Sequence, residues 1–100
     1  MKLLTKEIIK RFKEVGEQDV EDPIVIAKFF NPNGLGTWYA IQYNEEEKVF
    51  FGYVSIFGDS FDEWGSFTLQ ELEEYRGQLG LGIERDMWFG EKRFSEIKYN

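Results

Sequence analysis

The chain has no histidine and no cysteine, and only two prolines among its 100 residues. Lack of cysteine excludes disulfides and thiolate chemistry, and lack of histidine removes the commonest general base and the commonest transition-metal ligand. Such a composition suits the reducing cytosol. Long apolar runs are missing too. The opening MKLLTKEIIKRFKEV breaks its apolar residues with charges every few positions, so it reads neither as a signal peptide nor as a membrane span. A soluble cytoplasmic protein is expected. Ser55, Ser60 and Ser66 have no histidine to activate them, and Gly34-Leu35-Gly36 lacks the lysine of a phosphate loop and precedes a strand pattern. The expectation is a protein without a catalytic residue set and without a cofactor.

Basic residues are also scarce over most of the chain. Lys2, Lys6, Lys10, Arg11 and Lys13 crowd the first thirteen residues against Glu7, leaving that end at +4. From Glu14 to Asp86 sixteen acidic residues face only Lys28, Lys48, Arg76 and Arg85, a balance of −12 within a net charge of −7. The body should repel nucleic acid, so direct DNA or RNA binding is not expected. Two readings of the acidity stand side by side: a solubilising surface, or a face that meets a basic protein surface. The lysines of the first segment fit the solvated side of an ordinary amphipathic helix, or alternatively a phosphate contact.

What the chain has in quantity is aromatic residues: ten Phe, five Tyr and three Trp. With 42% hydrophobic residues, that is ample material for the core of one domain spanning residues 1–100. Thr5 is placed as an N-cap, with Leu4 and Ile9 as its hydrophobic staple, for a helix that runs to Val15 and stops at Gly16. Ile24–Phe30 reads as a strand bounded by Pro23 and the turn Asn31-Pro32-Asn33-Gly34. Thr37–Tyr43 and Val49–Phe57 read as a hairpin around the charged turn Asn44–Lys48. A loop, Gly58–Gly65, then leads to the capping box Thr68-x-x-Glu71 of a second helix that passes through Tyr75 and stops near Gly77. Ile83–Phe89 reads as a fourth strand, and Glu91–Tyr99 fits a short helix or an extended tail equally. The order α-β-β-β-α-β predicts an α+β domain, a largely antiparallel sheet of about four strands with two helices on one face.

The run Thr37-Trp38-Tyr39, the Phe51-Gly52-Tyr53 strand, Asp62-Glu63-Trp64-Gly65 with Phe67 and Leu69-Gln70-Glu71-Leu72 behind it, and Gly82-Ile83-Glu84-Arg85-Asp86 followed by Phe89 form a constellation. It resembles a bacterial domain-of-unknown-function family carried by plasmids, conjugative elements and phages, often near antirestriction and conjugation genes. The resemblance spans Leu3 to about Ile97. It departs at Gly90-Glu91-Lys92-Arg93, where a proline-bearing segment is expected. What it implies is a mobile-element accessory protein, with no catalytic or binding residues to carry over.

Two groups of candidate residues follow. Asp59, Phe61, Asp62, Glu63 and Trp64 on the acidic loop, with Trp38, would form a protein interface in which exposed aromatics anchor within an acidic rim. Strand alternation would put Glu84 and Asp86 on one face, where the loop carboxylates converging on them would hold Mg²⁺, Mn²⁺ or Ca²⁺. Solvated surface is the plainer account of those carboxylates, and Arg85 is expected to pair with an acidic neighbour such as Glu71 or Glu74. The leading functional expectation is a small acidic, non-catalytic module that modulates a nucleic-acid-handling protein, of antirestriction or anti-defence type, by protein contact. The alternative is a divalent-metal carboxylate site of unknown reaction.

Overall fold

A computed structural model describes residues 2–56, 62–77 and 79–98. The first helix, α1 (Lys6–Val15), forms where its caps dictate: Thr5 Oγ1 accepts from the Ile8 amide, and Gly16, at φ 70°, donates its amide to the Phe12 carbonyl. Only a residue tolerant of left-handed backbone can close the helix in this way. Phe12 faces inward, with Ile8 and Val15 beside it.

Seven strands follow among the described residues: β1 (Ile24–Val25), β2 (Ala27–Phe30), β3 (Thr37–Asn44), β4 (Val49–Ser55), β5 (Glu63–Thr68), β6 (Glu84–Arg85) and β7 (Lys92–Arg93). Five of them make an antiparallel sheet in the order β5-β4-β3-β2-β6, and β1 pairs with β7 as a separate ribbon. Helix α2 (Leu69–Glu74) follows β5, and α3 (Phe94–Lys98) follows β7. The α+β class and the mainly antiparallel sheet are as expected. Among the described residues no helix is long and apolar enough to cross a membrane.

Several boundaries differ from the sequence reading. Ile24–Phe30 is two strands, because the chain changes partner at Ile26, whose amide donates to the Ala40 carbonyl. Opposite that change β3 carries a bulge, its register with β4 shifting between Ala40 and Gln42. Gln18 ties the two irregularities together: its side chain accepts from the Ile24 amide and donates to the carbonyls of Ile24 and Ile41, while its own amide donates to Gln42. A bulge leaves backbone groups off the ladder, and this glutamine satisfies them.

The loop read as far as Gly65 is instead strand from Glu63 onward, paired with β4 from Val54↔Glu63 to Val49↔Thr68. Gly65 and Ser66 are poor strand formers, and cross-strand packing overrides them: Phe67 stacks on Phe50 at 5.2 Å. The expected strand Ile83–Phe89 shortens to Glu84–Arg85. Asp86 turns the chain, its Oδ1 accepting from the Trp88 amide and its carbonyl from the Phe89 amide. The second helix ends at Glu74, one residue before Tyr75, and the C-terminal segment supplies both a short strand and a short helix.

Cross-strand register divides the sheet into two faces. Phe29, Trp38 and Val54 lie in one row, and the same face carries Phe50 and Phe67. Helices α1 and α2 cover it through Phe12 and Leu72, with Phe50 at the centre touching the rings of Phe12, Phe29, Tyr43 and Phe67. Helix α3 lies on the opposite face, Phe94 packing on Tyr53 and Trp64.

That last helix is held from outside itself. Asp22 accepts from the Ser95 hydroxyl (2.7 Å) and the Ser95 amide (2.8 Å), and the Pro23 carbonyl accepts from the Phe94 amide. The Ser95 hydroxyl first, and its amide next, hold the Asp22 carboxyl below the usual aspartate range. Since the folded value is the lower one, the tether is complete above the ordinary aspartate value, about 4, and is lost as pH falls through the depressed value. The Ser95 amide resonance, followed by NMR from pH 7 to pH 2, should move with a midpoint below that of a free aspartate and stay still in Asp22→Ala. A midpoint at or above the ordinary value would count against the tether.

Candidate functional site

The face opposite α1 and α2 is built by one row of cross-strand neighbours: Lys28, Tyr39, Tyr53 and Trp64, on β2, β3, β4 and β5 in turn. Lys28 Nζ lies 5.9 Å from the centroid of the Tyr39 ring and 3.6 Å from Asp86 Oδ2. Tyr53 meets Trp64 edge-on at 5.4 Å, and Trp64 stacks parallel to Phe51 at 6.2 Å. Trp64 keeps 38% of its surface exposed although three rings surround it. Burial first, then the charges of Asp62 and Asp86, push the Tyr39 phenol above its usual range. At neutral pH it therefore stays protonated and serves as a hydrogen-bond group, not as a base.

Asp62 sits just before β5. Its Oδ2 accepts from the Ser55 hydroxyl at 2.9 Å, and its Oδ1 is buried without a hydrogen-bond partner among the described residues. Half of this carboxylate thus joins β5 to the end of β4. Glu63 is exposed at the first position of β5. Glu63 and Trp64, read as part of the loop Gly58–Gly65, therefore belong to a sheet edge with Asp62 just ahead of it, and Asp59 and Phe61 lie outside the described residues.

Trp38 does not join this group. Its row, with Phe29 and Val54, puts it on the helix-covered face, where it lines a hollow of about 250 Å³ with Asn31, Leu35, Ile56 and Tyr75. The turn over that hollow is well anchored: Asn31 Nδ2 donates to the Tyr75 hydroxyl and Asn33 Nδ2 to the Leu81 carbonyl. Trp38 and Trp64 therefore belong to different surfaces, a distinction that spacing in the sequence does not carry.

The carboxylates of the metal reading are also separated. Glu84 lies on β6, opposite Phe30, and lines a hollow with Leu3, Glu73 and Arg76. Asp86 lies beyond the end of β6, beside Thr5, Ile8 and Phe89, with Lys28 close enough to balance its charge. Among the described residues no group of three or more Asp or Glu side chains is placed to hold a metal ion. Arg85 Nη1 donates to the Lys2 carbonyl, tying the start of the chain to the sheet.

One exposed feature escaped the sequence reading. The turn Asp86–Phe89 presents Met87 and Trp88 outward, Trp88 with 97% of its surface exposed. The signal available was Asp86 two residues ahead of Trp88, since aspartate accepts from an amide two positions on and starts a turn. The pattern Ile83-x-x-x-Met87-Trp88-Phe89, rich in strand formers, concealed it.

Residues 2–97 match the family model of a protein of unknown function, DUF2958. No curated protein and no solved structure matches the chain.

Proposed function

We propose that this chain, which belongs to the DUF2958 family of proteins of unknown function, is a small acidic binding module that acts by protein contact on a partner with a basic surface. One observation carries the reading. The contiguous block Val49–Tyr75, which builds β4, β5 and α2, contains Asp59, Asp62, Glu63, Glu71, Glu73 and Glu74 and no lysine or arginine. An excess of one charge sign accelerates encounter with the opposite sign and selects against like-charged partners. Half-exposed Trp64 supplies an aromatic anchor within that field.

The resemblance to proteins of plasmids, conjugative elements and phages extends the proposal: the partner is a nucleic-acid-handling protein, whose phosphate-binding surface would be basic. The cations of α1 weigh less toward a direct nucleic-acid contact, because Lys13 pairs with Glu45 at 2.6 Å and Arg11 with Glu91 at 2.8 Å. Those two charges are already spoken for within the chain.

Affinity capture from host lysate tests the reading, with Glu63→Lys plus Glu74→Lys as the variant. Both side chains are exposed, whereas Asp62 is engaged with Ser55, so the double reversal gives up only the exposed hydrogen bond that Gln70 Nε2 donates to Glu74 within α2. A specific partner should be retained at low salt, fall away at high salt, and bind the variant at least about tenfold more weakly. A partner held equally by the variant, or no partner at all, would refute an electrostatic contact module.

A further inference from the structure

We infer that β5 is the docking edge of this module and that it takes an extended, lysine- or arginine-rich segment of the partner as a sixth strand; this rests on the contact reading above and specifies its geometry. The sheet is open and has two edges, β5 and β6. They are unequal. On β6 only two residues pair, the Arg85 side chain is tied back to the Lys2 carbonyl, and the chain turns away at Asp86. A very short strand closed off in this way is how proteins protect an edge from further pairing.

By contrast β5 runs for six residues, all paired with β4 on one side, and among the described residues no strand pairs with it on the other. An antiparallel strand bonded along one side leaves a row of amides and carbonyls directed outward, which is the template used in strand addition. The flanks suit an added chain. Trp64 and Ser66 lie on one face of the edge, Trp64 half-exposed and backed by Phe51. On the other face Gly65 leaves open space, a Cβ there meeting nothing within 4 Å. Alternate side chains of an incoming strand would rest on the tryptophan ring and over the glycine.

Charge identifies the occupant. Asp62 and Glu63 stand at one end of β5, and Glu71, Glu73 and Glu74 follow its other end on α2, where exposed Lys48 and Arg76 offset two of those three charges and leave that end acidic. A second copy of this chain, pairing antiparallel through its own β5, would bring the Asp62–Glu63 end of each toward the α2 carboxylates of the other. Like charges brought opposite one another disfavour such a pair. A basic extended segment meets opposite charge at both ends.

The test uses the full ¹⁵N-labelled chain and a fluorescein-labelled peptide of about nine residues alternating lysine with valine, with a glutamate–valine peptide as control. Binding of the basic peptide alone should slow amide exchange at outward-facing positions of β5 at least about tenfold, should weaken with salt, and should weaken at least about tenfold in Glu63→Lys. Peptide binding that leaves exchange along β5 unchanged would overturn strand addition. So would protection of β5 in the free protein accompanied by a dimer's mass, which would assign the edge to a second copy. Neither result would remove a charge-sensitive partner from the capture experiment, whereas loss of that partner would remove the contact reading itself.

Discussion

Replacing Gly52 with alanine should lower the stability of this domain by about 3 kcal/mol or more, the upper range for forcing extra atoms into a packed site. Gly52 lies on β4 opposite Ala40, at the last regular pair before the β3 bulge. A Cβ at this position would fall 2.0 Å from the Tyr39 carbonyl oxygen, 2.8 Å from its carbon and 2.9 Å from Ala40 Cα. All three are backbone atoms of the central strand, so no rotamer change relieves the clash. The strands themselves would have to separate, at the expense of the pairing that builds the middle of the sheet. Domains of this size are stable by only about 5 to 15 kcal/mol, so the loss is a large fraction of the total. Gly65, the partner of Gly52 on β5, is the control: a Cβ there meets nothing within 4 Å. Gly65→Ala should leave the urea midpoint unchanged or slightly raised, and the pair of midpoints compared in one buffer decides the matter. Equal effects at the two positions would show that close backbone approach is not what requires glycine at position 52.

Phe50→Ala should cost about 3 to 5 kcal/mol, the usual range for emptying a buried phenylalanine site. The side chain is fully buried and touches four rings at centroid distances of 4.5 to 6.0 Å, from α1, β2, β3 and β5. Its removal leaves a cavity between a helix and the sheet, and helix and sheet cannot both move in to fill it. Phe51, the next residue, is 36% exposed and has the parallel Trp64 ring at 6.2 Å. Phe51→Ala should cost about 1 kcal/mol, since less area leaves water and no enclosed space forms. Urea unfolding of both variants measures the contrast. If they differ by less than the error of the measurement, the assignment of the two faces of β4 fails.

Strand alternation does order the faces of β4 correctly, because Phe50, Gly52 and Val54 alternate with Phe51, Tyr53 and Ser55 without a break. The same rule failed at Ile83–Phe89. There a run of apolar residues satisfied the pattern, but Asp86 offered its own carboxylate to the Trp88 amide and the chain turned. At Glu63–Thr68 the error was the reverse: glycine and serine obscured a strand that Phe50 and Phe51 stabilise through Phe67 and Trp64. The candidate interface was legible in part for the same reason. Glu63 and Trp64 lie together on an accessible edge, as their adjacency allowed, whereas Trp38 is twenty-six residues away from Trp64 and two strands distant, and register alone sends it to the covered face.

Elements whose cause lies within a few residues follow from local sequence alone. Thr5 and Gly16 bound α1, Asn44 and Lys48 close the β3–β4 hairpin, and Thr68 caps α2. These are local hydrogen bonds, decided before any distant part of the chain arrives. Long-range packing sets where β1 parts from β2, that β5 is a strand, that β6 is short, and which face Trp38 and Trp64 occupy. Each of those depends on a partner far along the chain, such as Gln42 for Gln18, Phe50 for Phe67 or Lys28 for Asp86. A backbone group left off one ladder must be satisfied elsewhere, and where that is possible is set by what the folded chain brings within reach.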